Sequence, residues 1–147
     1  MVLLVGLVAI AVLCVGGLGV GYFVYDTATR PNRSDPSLVV RQYLTATFDQ
    51  RDESRSRLFT CGSTGSIAEM QNLLKQVQDL ERRFDIKVTV TWEQFASQVH
   101  GSRSDVTAYV KVDVPEADGR LSRGVTRWRF ALEEQSGWRV CDAHRIE

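Results

Sequence analysis

Ile86-Lys87-Val88-Thr89-Val90-Thr91-Trp92 alternates apolar and polar side chains at every step, the period of a half-buried β-strand. The residues before it follow a different rule. Ile67, Met70, Leu73, Leu74, Val77, Leu80 and Phe84 recur at three- and four-residue spacing, which gathers them on one face of an α-helix directed at the core. Ser66 and Glu69 supply the S-x-x-E pattern of a capping box at the start of that helix. The change of period at Asp85 therefore divides the chain into a helical half and a sheet half.

Towards the C-terminus, Phe95 and Val99 fall out of phase with Trp92, which predicts a bulge near Glu93-Gln94. Gly101–Ser104 is a turn, and Val106, Ala108, Val110, Val112 and Val114 form the apolar face of a second strand. Pro115–Gly119 contains an Asp-Gly pair and reads as a hairpin loop. In the third strand Thr126, Trp128, Phe130 and Leu132 point one way and Arg127 and Arg129 the other. Ser136-Gly137 then turns the chain into a last strand, Trp138–Asp142. Towards the N-terminus lie a turn at Gly62–Gly65 and a short helix ending near Leu58, Phe59 and Cys61. A polar break at Asp49–Asp52 precedes it. The first helix starts where Asp35 can cap and Pro36 can occupy the first helical position. Its inward face is Val39, Val40, Tyr43, Leu44, Thr47 and Phe48. Helices followed by an antiparallel meander predict an α+β domain, residues 36–147, with about three helices packed on a curved sheet of about four strands.

Ahead of this domain, Val2–Tyr25 contains no charged side chain. As a helix the run would be about 36 Å long, enough to cross a hydrocarbon core of about 30 Å with some tilt. A cleaved signal peptide would need a basic leader and a shorter apolar stretch. Bulky Tyr22, Phe23, Val24 and Tyr25 also follow the small-x-small site Gly19-Val20-Gly21. Residues 1–25 are therefore expected to be an uncleaved transmembrane signal anchor, and residues 26–35 (DTATRPNRSD) a polar linker. Arg30 and Arg33 after the run weakly favour a cytoplasmic C-terminal domain by the positive-inside rule. The cysteines argue the other way. Cys61 and Cys141 lack the spacing of a zinc site and are either a disulfide or two buried thiols. The disulfide is the expectation; such bonds persist in oxidising compartments, which puts the domain outside the cytoplasm.

The helix pair ending in Leu58-Phe59-Thr60-Cys61, the late helix, and the meander closing in Gly137-Trp138-Arg139-Val140-Cys141 together resemble the nuclear transport factor 2-like superfamily. The resemblance implies a cone-shaped domain whose bent sheet wraps over a long helix. With the anchor in front, the chain also resembles bacterial single-pass membrane proteins of the mammalian-cell-entry-associated type. The superfamily includes enzymes, ligand binders and scaffolds, so the resemblance alone assigns no activity.

Chemistry is sparse. In the enzymes of the superfamily, acid/base groups lie inside the cone. Period-2 counting puts Asp142 and His144 on the strand face of Trp138 and Val140, at the cone mouth, with Tyr43 of the first helix as a proton donor. The competing reading has the strand fray after Cys141 and both side chains in water. His100 sits beside the Gly101 turn and reads as a solvated loop residue. Two distant histidines make no metal site, and the glycines near residues 62–65 lack the Lys and strand of a phosphate-binding loop. Equal numbers of basic and acidic residues, 18 each, argue against nucleic acid. Arg127, Arg129 and Arg139 form a candidate basic patch for an anionic lipid surface or an acidic partner, unless cross-paired with Asp113 and Glu133. Gly17-x-x-x-Gly21 allows close approach of two spanning helices and hence a homodimer. The sequence thus points to a non-enzymatic envelope protein of the cell membrane, without cofactor or metal. Its extracytoplasmic domain serves a transport or secretion complex, with ligand binding in the cone as the alternative and an isomerase-like enzyme third.

Overall fold

The structure, a computed structural model, describes residues 32–62 and 67–146. The apolar run, most of the linker, the turn beyond Gly62 and Ser66 lie outside the described residues. No helix among the described residues is long and apolar enough to cross a membrane. The chain divides between Pro31 and Asn32, and every described residue belongs to the second unit.

The first helix, α1 (Pro36–Leu44), starts as the sequence predicts. Asp35 Oδ1 accepts the Leu38 N–H at 2.8 Å, and Pro36 fills the first turn, where no N–H is needed. The helix then widens into one π-helical turn, Thr45–Asp49. Here Thr45 Oγ1 donates to the Arg41 carbonyl and Thr47 Oγ1 to the Tyr43 carbonyl, at 2.9 and 2.8 Å. Hydroxyls that bond back along a helix loosen the backbone ladder, consistent with the change of pitch. All six residues of the expected inward face are buried. Next comes α2 (Glu53–Arg57), capped by Asp52, which buries nothing of its own. It leads to Phe59, which is buried.

The long helix α3 (Ala68–Phe84) buries Met70, Leu73 and Val77 and packs Leu74 and Leu80 against the core. Phe84, expected on the same face, is 59% exposed. It is the last helical residue, and Asp85 at φ 51° turns the chain away immediately after it. Glu69 binds outside its own helix: its carboxylate accepts the Arg145 N–H at 3.0 Å. That contact ties the first turn of α3 to the end of the sheet.

The sheet is a four-stranded antiparallel meander in the order β1 (Thr89–His100), β2 (Arg103–Pro115), β3 (Leu121–Glu134), β4 (Trp138–Arg145). Its inner face and the helices enclose one core, in which Trp128 and Phe130 are fully buried. A bulge lies between Glu93 and Ala96, with Gln94 at φ 55°, where the phase of the sequence breaks. A second bulge decides the site. Leu132 pairs with Val140 while Ala131 pairs with Asp142, so Cys141 is an extra residue in β4. The residues facing the core are therefore Trp138, Val140 and Ala143.

The outer edge of β4 is also covered. Val140 donates its N–H to the Phe59 carbonyl at 2.8 Å, and Cys61 donates to the Val140 carbonyl at 2.9 Å. Beside this bridge Cys61 and Cys141 form a disulfide, with Cα atoms 4.8 Å apart and a sequence separation of 80. It joins the end of the helical half to the last strand.

Candidate functional site

The bulge at Cys141 corrects the expected cone-mouth arrangement. Strict alternation would have carried Asp142 and His144 inward. One extra residue moves both to the outer face and puts Ala143 in the core instead. There the Asp142 carboxylate and the His144 ring meet each other, Oδ2 to Nδ1 at 2.9 Å. β4 does not fray after Cys141 but continues to Arg145. Tyr43 stays on the inner side, 2% exposed. Burial pushes its phenol up to about 12, and a hydrogen bond with Thr47 opposes that shift only in part. Tyr43 and the Asp142–His144 pair are thus on opposite sides of the sheet and do not form one constellation.

The three arginines of the expected basic patch also separate. Arg129 binds Asp105 through Nε at 2.9 Å and through a terminal nitrogen at 2.9 Å. That hydrogen bond raises the Arg129 pKa and holds the Asp105 carboxyl below the usual range. Arg127 lies over the Tyr109 ring, 6.0 Å from its centroid. The acidic residues proposed as their partners are engaged elsewhere, Asp113 with Arg123 and Glu133 with Arg103. Arg139 pairs in register with Glu133, four positions from Arg129 on β3, about 14 Å along the strand. It belongs to a different surface.

That surface holds a groove of about 780 Å³ between the π-helical turn, α2 and α3. Tyr43, Ile67 and Leu74 supply its apolar wall, and Thr47, Gln71, Gln78, Arg57 and Arg139 its polar groups. The volume is that of a small-molecule site. Arg57 is held by Glu53 and Arg51 by Glu81. Among the described residues Arg139 has no such partner: one terminal nitrogen reaches the Thr60 carbonyl at 3.4 Å, and its Nε is buried without a hydrogen bond. Arg33 is its neighbour. The Arg33 backbone carbonyl accepts the Trp138 N–H at 2.9 Å, and its side chain lies against Gly137. One of its terminal nitrogens is likewise buried without a partner among the described residues. Burial and the charge of Arg139 both lower the Arg33 pKa. Sequence reasoning missed this pair, because Arg33 sits in a polar linker that carries no periodic signal. Among the described residues no cluster of three His, Cys, Asp or Glu side chains is placed to hold a metal ion.

No family model and no curated protein matches the sequence. Solved structures do. A ketosteroid isomerase-like protein from Shewanella frigidimarina aligns with a TM-score of 0.53 and 16% identity, over 74% of this chain and 91% of its own. Aln2 from a Streptomyces species aligns with a TM-score of 0.52 and 15% identity, over 79% of this chain and 94% of its own. At such identities the likeness establishes the fold alone: the described domain shares the α+β architecture of these two proteins.

Proposed function

We propose that the chain is a membrane-tethered envelope protein whose domain stands outside the cytoplasm and acts, without catalysis, as an accessory or scaffold module of a membrane complex. The observation that carries the non-catalytic reading is the interior. Trp128, Phe130, Leu132 and Trp138 fill the space between sheet and helices, and the bulge turns the Asp142–His144 pair to the outside. An isomerase-like mechanism needs an ionisable group facing an enclosed cavity.

The tether is the charge-free run Val2–Tyr25. The extracytoplasmic placement is supported by the Cys61–Cys141 disulfide, since cytosolic reductants keep such pairs open. Thiol labelling of intact cells checks it. Cys61 and Cys141 should react with a membrane-impermeant maleimide only after an external reductant is added. Thiols that react without reduction, and only once the cells are lysed, would place the domain in the cytoplasm. For the scaffold role, the full-length chain extracted from membranes in mild detergent should run on size exclusion with a fixed set of transport or secretion subunits. A free chain, with no stoichiometric partner after in-cell crosslinking, would remove the scaffold reading.

A further inference from the structure

We propose that Arg33 and Arg139 form a binding site for the phosphomonoester group of a small ligand, with Arg139 also lining the groove. The Arg33 backbone is bonded to Trp138, the residue before Arg139, and each arginine keeps a buried nitrogen with no acceptor among the described residues. Like charges held together, with unmet donors, are unfavourable in the free protein and become favourable when an oxyanion accepts from both. The acidic residue opposite Arg139 in the sheet, Glu133, is engaged elsewhere: its carboxylate faces Arg103 at 3.7 Å and Gln135 at 3.4 Å.

The backbone holds both arginines in place. The Arg33 carbonyl is bonded to Trp138, and a Cβ built at Gly137 would come within 2.7 Å of the Arg33 Cβ. Gly137, at φ 106°, is therefore the residue type that lets the Arg33 side chain lie against the β3–β4 turn. Arg139 is anchored between Trp138 and Val140, both buried in the core.

The charge selects the ligand class. Two cations without an acidic partner among the described residues match a phosphomonoester, which carries about −1.5 to −2 at neutral pH, better than a single carboxylate or a phosphodiester. The groove beside Arg139, with Tyr43, Ile67 and Leu74 on its wall, can receive the rest of such a molecule. The ligand is either a soluble phosphomonoester or a lipid headgroup of the same chemistry. The lipid source rests on the tether reading, under which the stretch from Tyr25 to Arg33 spans at most roughly 28 Å.

Calorimetric titration of the full-length chain in detergent micelles tests the site, with phenyl phosphate, phenyl sulfate and dihexanoyl phosphatidic acid as probes. Phenyl phosphate should bind and phenyl sulfate, a monoanion, should bind more weakly. Arg33→Gln and Arg139→Gln should each weaken phenyl phosphate by at least about tenfold, the loss of one charge-assisted contact. Arg129→Gln, whose guanidinium is already held by Asp105, should leave it unchanged. Arg139→Lys keeps the charge and should weaken binding by less than Arg139→Gln, with circular dichroism confirming that each variant folds. Dihexanoyl phosphatidic acid binding more tightly than phenyl phosphate assigns a lipid source, and equal binding a soluble one. No binding of either phosphomonoester overturns the proposal. So does equal affinity for phenyl sulfate, or an Arg129→Gln loss matching those at Arg33 and Arg139. The site stands whether or not a membrane complex is recovered.

Discussion

Replacing Cys61 and Cys141 together by serine is expected to lower the stability of the domain by roughly 2–4 kcal/mol and its Tm by about 10–15 °C. The bond closes a loop with a sequence separation of 80. In the chain-entropy account a loop of that size is worth at most roughly 4.5 kcal/mol, because the cross-link restricts the unfolded ensemble. The lower part of the range is expected because the junction has support of its own. Two backbone hydrogen bonds, Val140 to Phe59 and Cys61 to Val140, remain when the sulfurs are gone. Thermal unfolding of the full-length chain, followed by tryptophan fluorescence with and without reductant, checks this. Reductant should bring the wild type down to the level of the double variant and leave the variant where it is. A wild-type Tm that ignores a reductant shown to open the bond would mean that the disulfide contributes nothing to stability.

The same bond explains why one part of the chain was harder to read than the rest. Where side-chain type alternates or recurs strongly, the structure follows the sequence. The stripe from Ile67 to Val77, the alternation from Val106 to Val114 and the Trp128-Phe130-Leu132 face are all where their periods put them. The bulge at Glu93–Ala96 was legible because two large apolar residues, Phe95 and Val99, break phase there. The bulge at Cys141 breaks phase as well, but its only inward marker afterwards is Ala143, a small residue with a weak apolar signal. Asp142 and His144 then carry no local cue against the inward assignment. The cue is tertiary: Cys141 must reach Cys61 on the segment that covers the edge of β4.

The candidate binding site was less legible still. Arg33 lies in a stretch whose composition reads as linker, and its role comes from a backbone hydrogen bond to Trp138 and contact with Gly137, far along the chain. Arg139 was visible, but grouping it with Arg127 and Arg129 followed from alternation alone. Alternation assigns a face and says nothing about position along the strand or about which carboxylates are already taken. Asp105, the actual partner of Arg129, is set by the register of β2 on β3, which a periodic pattern leaves open.

Trp128→Ala is expected to cost about 3–5 kcal/mol and leave the domain largely unfolded or aggregated, whereas Asp142→Ala should stay within about 0.5 kcal/mol of the wild type. Trp128 is fully buried at the centre of the inner face. Its Nε1 donates to Thr126 Oγ1 at 3.0 Å, and the Arg145 guanidinium lies 5.7 Å from the ring centroid. Truncation leaves a void that the surrounding side chains cannot close without shifting the strand pairs on either side. Asp142, on the outer face and partly solvated, loses its contact with His144 and a weak attraction to Arg129. Urea denaturation of the full-length variants in detergent measures both. The contrast bears directly on function. If the space between sheet and helices were an open ligand cavity, truncating an inner aromatic would enlarge it at little cost in stability. If Asp142 were held at the cone mouth for proton transfer, removing it would relieve an unfavourable burial and stabilise the fold. A large loss at Trp128 beside a negligible change at Asp142 is the result that a packed, non-catalytic interior requires. A mild Trp128→Ala phenotype would return the cone cavity to consideration as a binding site.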